Sequence, residues 1–117
     1  IITNYLNTYN FSASKFIISS FRWDELKKIR SINKEIPIAI LVDSLYKIDD
    51  AIKLAKQINA VALNPNKNFI TKEIVNKIQS NNIKVYPYTI NTPRNIRRIR
   101  SMGVDAIITD YPERIKR

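Results

Sequence analysis

Short runs of apolar and β-forming residues alternate along the chain with longer segments in which apolar residues recur at every third or fourth position. The short runs cover residues 16–18, 38–42, 60–63, 85–90 and 106–108. Unbroken runs of this length are typical of strands buried on both faces, and the longer spacing is typical of amphipathic helices. The pattern therefore predicts an α/β fold with five parallel strands, each followed by a helix.

The helices are predicted at residues 1–9, 22–32, 45–58, 71–80 and 93–102, with a further short helix from Pro112. The clearest apolar stripe lies in the third of them and consists of Leu45, Ile48, Ile52, Ala55 and Ile58. In the second helix, Leu26, Ile29 and Ile32 are predicted to face inward. The helices are expected to end at residues that tolerate a left-handed backbone, which are Asn10, Asn33, Asn59, Asn82 and Gly103.

Polar side chains follow several of the predicted strands, where α/β proteins bind ligands. Asn91 precedes Thr92-Pro93, an N-cap residue and a proline suited to the first helical position. Asp43 and Asp110 stand at equivalent strand ends. Both aspartates are open to two interpretations, as cation ligands or as helix caps, and Asn91 is open to interpretation as a site residue or as a turn residue.

Five parallel strands fit either an open doubly wound sheet or the later part of an eight-stranded barrel. Short loops at both strand ends and the lack of a glycine-rich phosphate loop favour the barrel. At 117 residues, the chain 1–117 is one domain or part of one, and because it begins with Ile1 we expect it to be part of a longer protein. No apolar run is long enough to span a membrane and no secretory signal is visible, which leaves the compartment open.

The chain carries a formal net charge of +10, with 20 lysines and arginines against 10 aspartates and glutamates. The densest cluster is Arg94, Arg97, Arg98 and Arg100 on one predicted helix. This charge fits either an anionic partner or a solvated basic exterior. The cluster has no interleaved aromatic residues and no recognition motif, so nucleic acid is not an expected partner.

The chain contains neither histidine nor cysteine. The commonest general acid/base, the commonest metal ligand and all thiolate or disulfide chemistry are therefore absent from these residues. A nucleophilic serine is not expected either, because no histidine is available to act as its base.

Four stretches taken together resemble the carboxyl-terminal half of the glycerophosphodiester phosphodiesterase family. They read FIISSF at 16–21, AVALNP at 60–65, VYPYTIN at 85–91 and GVDAIITDYP at 103–112. The resemblance implies a TIM-type (β/α)8 barrel, of which this chain would supply about five carboxyl-terminal βα units. It also implies hydrolysis of glycerophosphodiesters to glycerol 3-phosphate and an alcohol, with a bound divalent cation, calcium or magnesium.

The family's signature chemistry lies upstream of the part that this chain resembles. It consists of a His-Arg-Gly turn, a Glu-x-Asp pair, a second histidine and a further glutamate, none of which has a counterpart here. We therefore expect no catalytic residue and no cation ligand in this chain, and no turnover by the 117 residues alone.

The resemblance does carry over a set of substrate-binding positions at the strand ends, which are Ser20, Phe21, Asn64, Tyr88 and Asn91. Where Tyr88 stands the family commonly has tryptophan, whose flat face packs against the glycerol or the alcohol. Tyr88 is open to interpretation as a ligand wall or as packing at the barrel top, and Arg22 stands where the family often has an acidic residue.

The expected partners are a glycerophosphodiester and either the remaining half of the barrel or a second copy of the chain, because incomplete sheets leave unpaired edges. The alternative hypothesis is a non-catalytic half-barrel that binds an anion or assembles with another chain.

Overall fold

The computed structural model describes residues 18–111, which form a parallel sheet covered by helices. The four strands are β1 (Ile18–Ser20), β2 (Ile38–Val42), β3 (Ala62–Pro65) and β4 (Lys84–Val85), and they lie in the order β1-β2-β3-β4. All three strand pairs are parallel, as predicted. The helices expected at residues 1–9 and from Pro112, and the start of the first strand, lie outside the described residues.

The helices are α1 (Trp23–Ile32), α2 (Ile48–Ile58), α3 (Lys72–Gln79) and α4 (Pro93–Arg100), with a 3-10 turn at Leu45–Lys47 before α2. Thr71 and Thr92 cap α3 and α4, each accepting a hydrogen bond from a backbone N–H at the third position after it. Because the strands follow one another in a single direction across the sheet, right-handed crossovers place the helices on the same face.

Every second strand residue points to the same face of the sheet, and the residues on one face build the core against these helices. Its members are buried and apolar: Ile18, Ile38, Ile40, Val42, Leu63 and Val85. Apart from Leu41, the strand residues on the opposite face are smaller or more polar: Ser19, Ala39, Leu41, Ala62, Asn64 and Lys84. The sheet therefore has one face that packs on the helices and an opposite face that carries the polar side chains.

The fifth predicted strand forms no regular ladder among the described residues. Its backbone nevertheless runs beside the segment that follows β4, since the Ile108 N–H donates to the Pro87 carbonyl at 3.0 Å and the Ile108 carbonyl accepts the Ile90 N–H at 2.9 Å. The predicted strand 85–90 is also shorter than expected, although the N–H groups of Tyr86 and Tyr88 still donate to the carbonyls of Leu63 and Pro65 at 2.9 and 3.1 Å. Pro87 faces the last segment and has no N–H to donate to it. A single bridge between Asn66 and Tyr88 follows it.

Two apolar residues that were predicted to face inward are exposed. Ile32 is 85% exposed, because at about 100° per residue it lies roughly 120° around α1 from the buried Leu26. Leu45 is 50% exposed, because the 3-10 turn places it outside the α-helical stripe of α2.

Three of the predicted left-handed helix stops are confirmed and one is wrong. Asn59, Asn82 and Gly103 have φ values of 55°, 63° and 83°. Asn33 is extended, with φ −134°, and its side-chain oxygen instead accepts hydrogen bonds from the N–H groups of Glu35 and Ile36. The helix there ends in an asparagine turn, which competes successfully with the left-handed cap. Asn10 lies outside the described residues.

Candidate functional site

Phe21 and Tyr88 meet at the carboxyl edge of the sheet. Their ring centroids are 5.8 Å apart and the rings are nearly perpendicular, at 78°. Phe21 follows β1 and Tyr88 follows β4, the two outermost strands of the sheet. In a flat sheet, three strand spacings would separate them by about 14 Å. The sheet is therefore strongly curved, with both rings on its concave side.

The Asn66 side chain lies within hydrogen-bonding reach of the Tyr88 phenol, and the two residues form a β-bridge. Burial raises the pKa of the Tyr88 phenol above its usual value of 10.0, the bond to Asn66 opposes that shift, and the nearby charge of Asp43 adds to it. The phenol is therefore protonated at neutral pH and able to donate a hydrogen bond.

Asn64 lies one layer below this aromatic pair. Its side chain is 1% exposed, and its Nδ2 donates to the Oγ of Ser19 at 3.0 Å. The register pairs Asn64 with Leu41 of β2, on the polar face of the sheet. No hydrogen-bond donor to its Oδ1 is found among residues 18–111. Asn64 is thus buried beneath the Phe21–Tyr88 pair, and its Oδ1 is an acceptor without a donor among these residues.

Ser20 and Asn91, the other two candidate positions, are engaged in local structure. The Ser20 Oγ accepts the N–H of Arg22 at 2.9 Å, which turns the chain into α1. The Asn91 Oδ1 accepts the N–H of Asp110 at 3.0 Å and the hydroxyl of Thr109 at 3.1 Å, while its Nδ2 donates to the Asp110 carboxylate. The structure therefore brings Phe21 and Tyr88 together and gives Ser20 and Asn91 clear structural roles.

Asn66 was missed by the sequence reasoning. Its Oδ1 accepts the N–H of Asn68 at 2.8 Å, and its N–H donates to the carbonyl of Val42 at 3.1 Å. The sequence could have indicated it, because Asn66 stands two residues after Asn64, and residues two apart in an extended segment share one face. The turn dipeptide Asn64-Pro65 made a loop the simpler interpretation at that point.

The residues 18–111 do not assemble a cation site, since they contain no group of three or more histidine, cysteine, aspartate or glutamate side chains placed to hold one. Asp43 is paired with the Lys47 ammonium at 3.1 Å, and Asp110 is bonded to Asn91. The cap that Asp43 was expected to supply comes from Ser44, whose Oγ accepts the Tyr46 N–H at 3.3 Å.

The arginines of α4 form an exposed basic surface on the outside of the sheet. Arg94, Arg97 and Arg98 take part in none of the ion pairs found in the described part of the chain. No helix within residues 18–111 is long and apolar enough to cross a bilayer.

A curved parallel sheet with helices on one face and paired aromatic rings at the strand carboxyl ends places this chain among the parallel βα-barrel proteins. The chain belongs to the glycerophosphoryl diester phosphodiesterase family, whose model matches residues 2–114. The family and the barrel fold predicted from the sequence are thereby confirmed.

Two curated relatives and one solved structure illustrate this membership. The chain is 34% identical to the uncharacterized protein YqiK of Bacillus subtilis over 86% of its own length and 41% of that protein. It is 30% identical to a glycerophosphodiester phosphodiesterase of Caldanaerobacter subterraneus over 92% of its length and 43% of that enzyme. An Oleispira antarctica phosphodiesterase, solved with its product sn-glycerol-3-phosphate, matches 85% of this chain with 39% of its own at a TM-score of 0.76 and 23% identity. The chain therefore spans less than half the length of these proteins.

Proposed function

We propose that this chain forms part of a hydrolase that cleaves glycerophosphodiesters to glycerol 3-phosphate and an alcohol. The observation that carries the proposal is the concave edge lined by Phe21 and Tyr88 in a chain of this family. The product bound in the Oleispira structure supports a small-molecule substrate of this kind.

In this reaction water adds to phosphorus, the bond from phosphorus to the alcohol oxygen breaks, and the alcohol leaves with a proton. The proton transfers need an acid and a base that the 117 residues do not offer as histidine. A divalent cation would supply charge stabilisation at the phosphoryl group, but the described residues do not fit one. We therefore assign the proton transfers and any cation to other parts of the complete protein, and aromatic contacts with the substrate to this chain.

The test is an assay for glycerol 3-phosphate release from glycerophosphodiesters by the protein as its source organism makes it, beside the 117-residue chain alone. We expect turnover by the former if it carries the upstream histidines and carboxylates, and none by the latter. Turnover by the purified 117 residues would show that the chemistry lies in this chain. Inactivity of a source protein that does carry those groups would contradict the proposal.

The second candidate is a non-catalytic module that binds an anionic partner. It rests on the net charge of +10 and on Arg94, Arg97 and Arg98, which take part in none of the ion pairs found among residues 18–111. It predicts binding to a polyanion such as heparin that weakens steeply as salt rises. Replacing Arg94, Arg97 and Arg98 by glutamine would abolish that binding and leave phosphodiesterase activity of the source protein unchanged.

The edge of β1 and the polar sheet face suit assembly with the rest of a barrel, or with a second copy of the chain. A sheet of four parallel strands is half of an eight-stranded barrel. Sedimentation of the 117 residues alone distinguishes the two cases, because association with a second copy predicts a dimer and a concentration-independent monomer would exclude it.

A further inference from the structure

The positive charge of the described residues is concentrated at one end of the helix layer. The later part of each helix and the turn after it, residues 28–34, 53–59, 76–82 and 97–103, contain no aspartate or glutamate. These four segments form the basic strip, and they carry nine cations: Lys28, Arg30, Lys34, Lys53, Lys56, Lys77, Arg97, Arg98 and Arg100. The first turns of α1, α2 and α3 hold acidic side chains instead. Glu35 and Asp105, just beyond the strip in sequence, leave a large positive excess at this end.

Hydrogen bonds hold neighbouring ends of the four helices side by side. The Arg30 Nε donates to the carbonyl of Ile58 at 2.6 Å, which fixes the end of α1 beside the end of α2. The Gln79 Nε2 donates to the carbonyl of Gly103 at 2.8 Å, which fixes the end of α3 beside the turn after α4. Packed helices lie about 8–10 Å apart, so four of them spread the basic strip over roughly 30 Å.

Most cations of the basic strip are exposed and have no carboxylate beside them. Lys77 forms an ion pair with Asp49, and Arg30 caps α2. Six further members are exposed and take part in none of the ion pairs found among residues 18–111: Lys28, Lys34, Lys53, Lys56, Arg97 and Arg98. The helix dipole accounts for cations in a last turn, but Lys28, Lys34 and Lys53 lie outside the last turns. Compensation of helix ends therefore does not explain the whole strip.

An exposed aliphatic side chain lies within the basic strip. Ile32, the last residue of α1, is 85% exposed and stands between Arg30 and Lys34. Long basic side chains can reach a charged surface while an aliphatic group between them enters the apolar layer beneath it. The strip contains no phenylalanine, tyrosine or tryptophan, so it offers no platform for stacking nucleic-acid bases. A flat anionic bilayer therefore fits this surface better than a nucleic acid does.

We propose that the basic strip docks the protein on an anionic lipid bilayer, with Ile32 entering the headgroup layer. The strip lies toward the amino-terminal edge of the sheet, because each helix runs back from the carboxyl edge to the start of the next strand. Phe21 and Tyr88 lie at the carboxyl edge, so the docked protein keeps that site open to solution. This surface goes beyond the proposed hydrolase function and does not depend on it. Unlike the second candidate function, it extends across four helices and takes a lipid partner.

The experiment measures binding of the complete source protein to vesicles by co-sedimentation at low salt. We expect binding to phosphatidylcholine vesicles that contain about one third phosphatidylglycerol, and none to phosphatidylcholine alone. The test variant combines Lys28→Gln, Lys53→Gln and Lys56→Gln. Each basic residue near an anionic leaflet contributes roughly 5-fold in affinity, so this variant should bind about 100-fold more weakly.

Two control variants separate the position of these groups from their number. Arg22→Gln, Lys47→Gln and Lys72→Gln together remove the same charge near the carboxyl edge, and should weaken binding much less. Ile32→Ser should weaken binding about 3- to 10-fold through lost apolar contact. Tyr46→Ser removes a side chain that is 92% exposed near the carboxyl edge, and should leave binding unchanged.

Three outcomes would overturn the inference. One is the absence of binding to the anionic vesicles. Another is an equal loss in the two triple variants, which would make net charge rather than the basic strip responsible. The third is an unchanged affinity of Ile32→Ser together with equally tight binding to duplex DNA, which would make the strip a general polyanion surface.

Failure of the hydrolase function is distinguished in the same proteins. The lysine variant should hydrolyse a soluble glycerophosphodiester as fast as the unchanged protein, because the strip lies at the edge opposite Phe21 and Tyr88. If the unchanged protein hydrolyses no diester, the hydrolase proposal fails and the vesicle result still decides the docking proposal. An unchanged melting temperature of the lysine variant then shows that its lost binding reflects the strip.

Discussion

The carboxylate of Asp105 acts as a strand partner for Val85. The Asp105 Oδ2 accepts the Val85 N–H at 2.8 Å, and the backbone N–H of Asp105 donates to the Val85 carbonyl at 3.1 Å. The side chain of Asp105 thus provides the hydrogen-bond acceptor that the outer edge of β4 needs where the regular ladder ends. The same carboxylate also accepts from Nε2 of Gln79 at 3.3 Å, which ties this edge to α3.

Asp105→Ala is expected to destabilise the protein by about 1–3 kcal/mol, because it leaves the partly buried Val85 N–H without an acceptor. Asp105→Asn is the matched control, since its amide oxygen can still accept that bond, and its cost should be smaller. Urea unfolding of the three proteins measures the difference. Equal stability of all three would show that water satisfies Val85.

Tyr88 is expected to be the tyrosine whose ionisation is delayed on alkaline titration. Burial raises its pKa, so the folded protein favours the neutral phenol, and the stability gained from Tyr88 is present below pH 10.0 and lost as the pH rises through the folded value. Absorbance of tyrosinate followed against pH should show a late component that Tyr88→Phe removes. If Tyr88→Phe removes an early component instead, the site is more solvated than the structure indicates.

Asn91 lies at the junction between β4 and the last segment. Asn91→Asp is expected to make the folding stability of the protein depend on pH. The new carboxylate keeps the acceptor for the Asp110 N–H but loses the Nδ2 donor to the Asp110 carboxylate. Two adjacent carboxylates raise the pKa of the pair in the folded protein, so the variant is nearest to normal stability at acid pH and loses stability as the pH rises. Unfolding free energies of both proteins across the acid to neutral range test this, and a constant difference between them would refute it.

Arg30→Met is expected to cost about 1–3 kcal/mol. The Arg30 Nε donates to the carbonyl of Ile58 at 2.6 Å, and Nη2 reaches the carbonyl of Asn59 at 3.4 Å, so the guanidinium of α1 caps the end of α2. Methionine keeps much of the apolar stem and removes every donor. Lys53→Met is the matched control. It removes a positive charge from the exposed face of α2 that caps no helix, and it should change thermal stability little.

The interpretation of individual candidate residues was less complete than that of the elements. The sequence placed Phe21 and Tyr88 at strand ends, but their contact depends on the curvature of the whole sheet, which no local pattern encodes. Asn66 escaped notice for the same reason, since its role comes from a bridge to Tyr88, 22 positions further along the chain. Asn91 could be read either as a ligand or as a turn residue, and the structure engages its amide with Thr109 and Asp110.

The sequence by itself determined the parallel βα order, three left-handed helix ends and the family, because these follow from local periodicity, backbone preference and motifs read in chain order. Tertiary structure alone decided which polar groups meet: Asp105 with Val85, Arg30 with Ile58, and Tyr88 with Asn66 and Phe21. These contacts join residues 20 to 67 positions apart, and their geometry is set by strand register and sheet curvature, which arise only when the whole sheet packs against its helices.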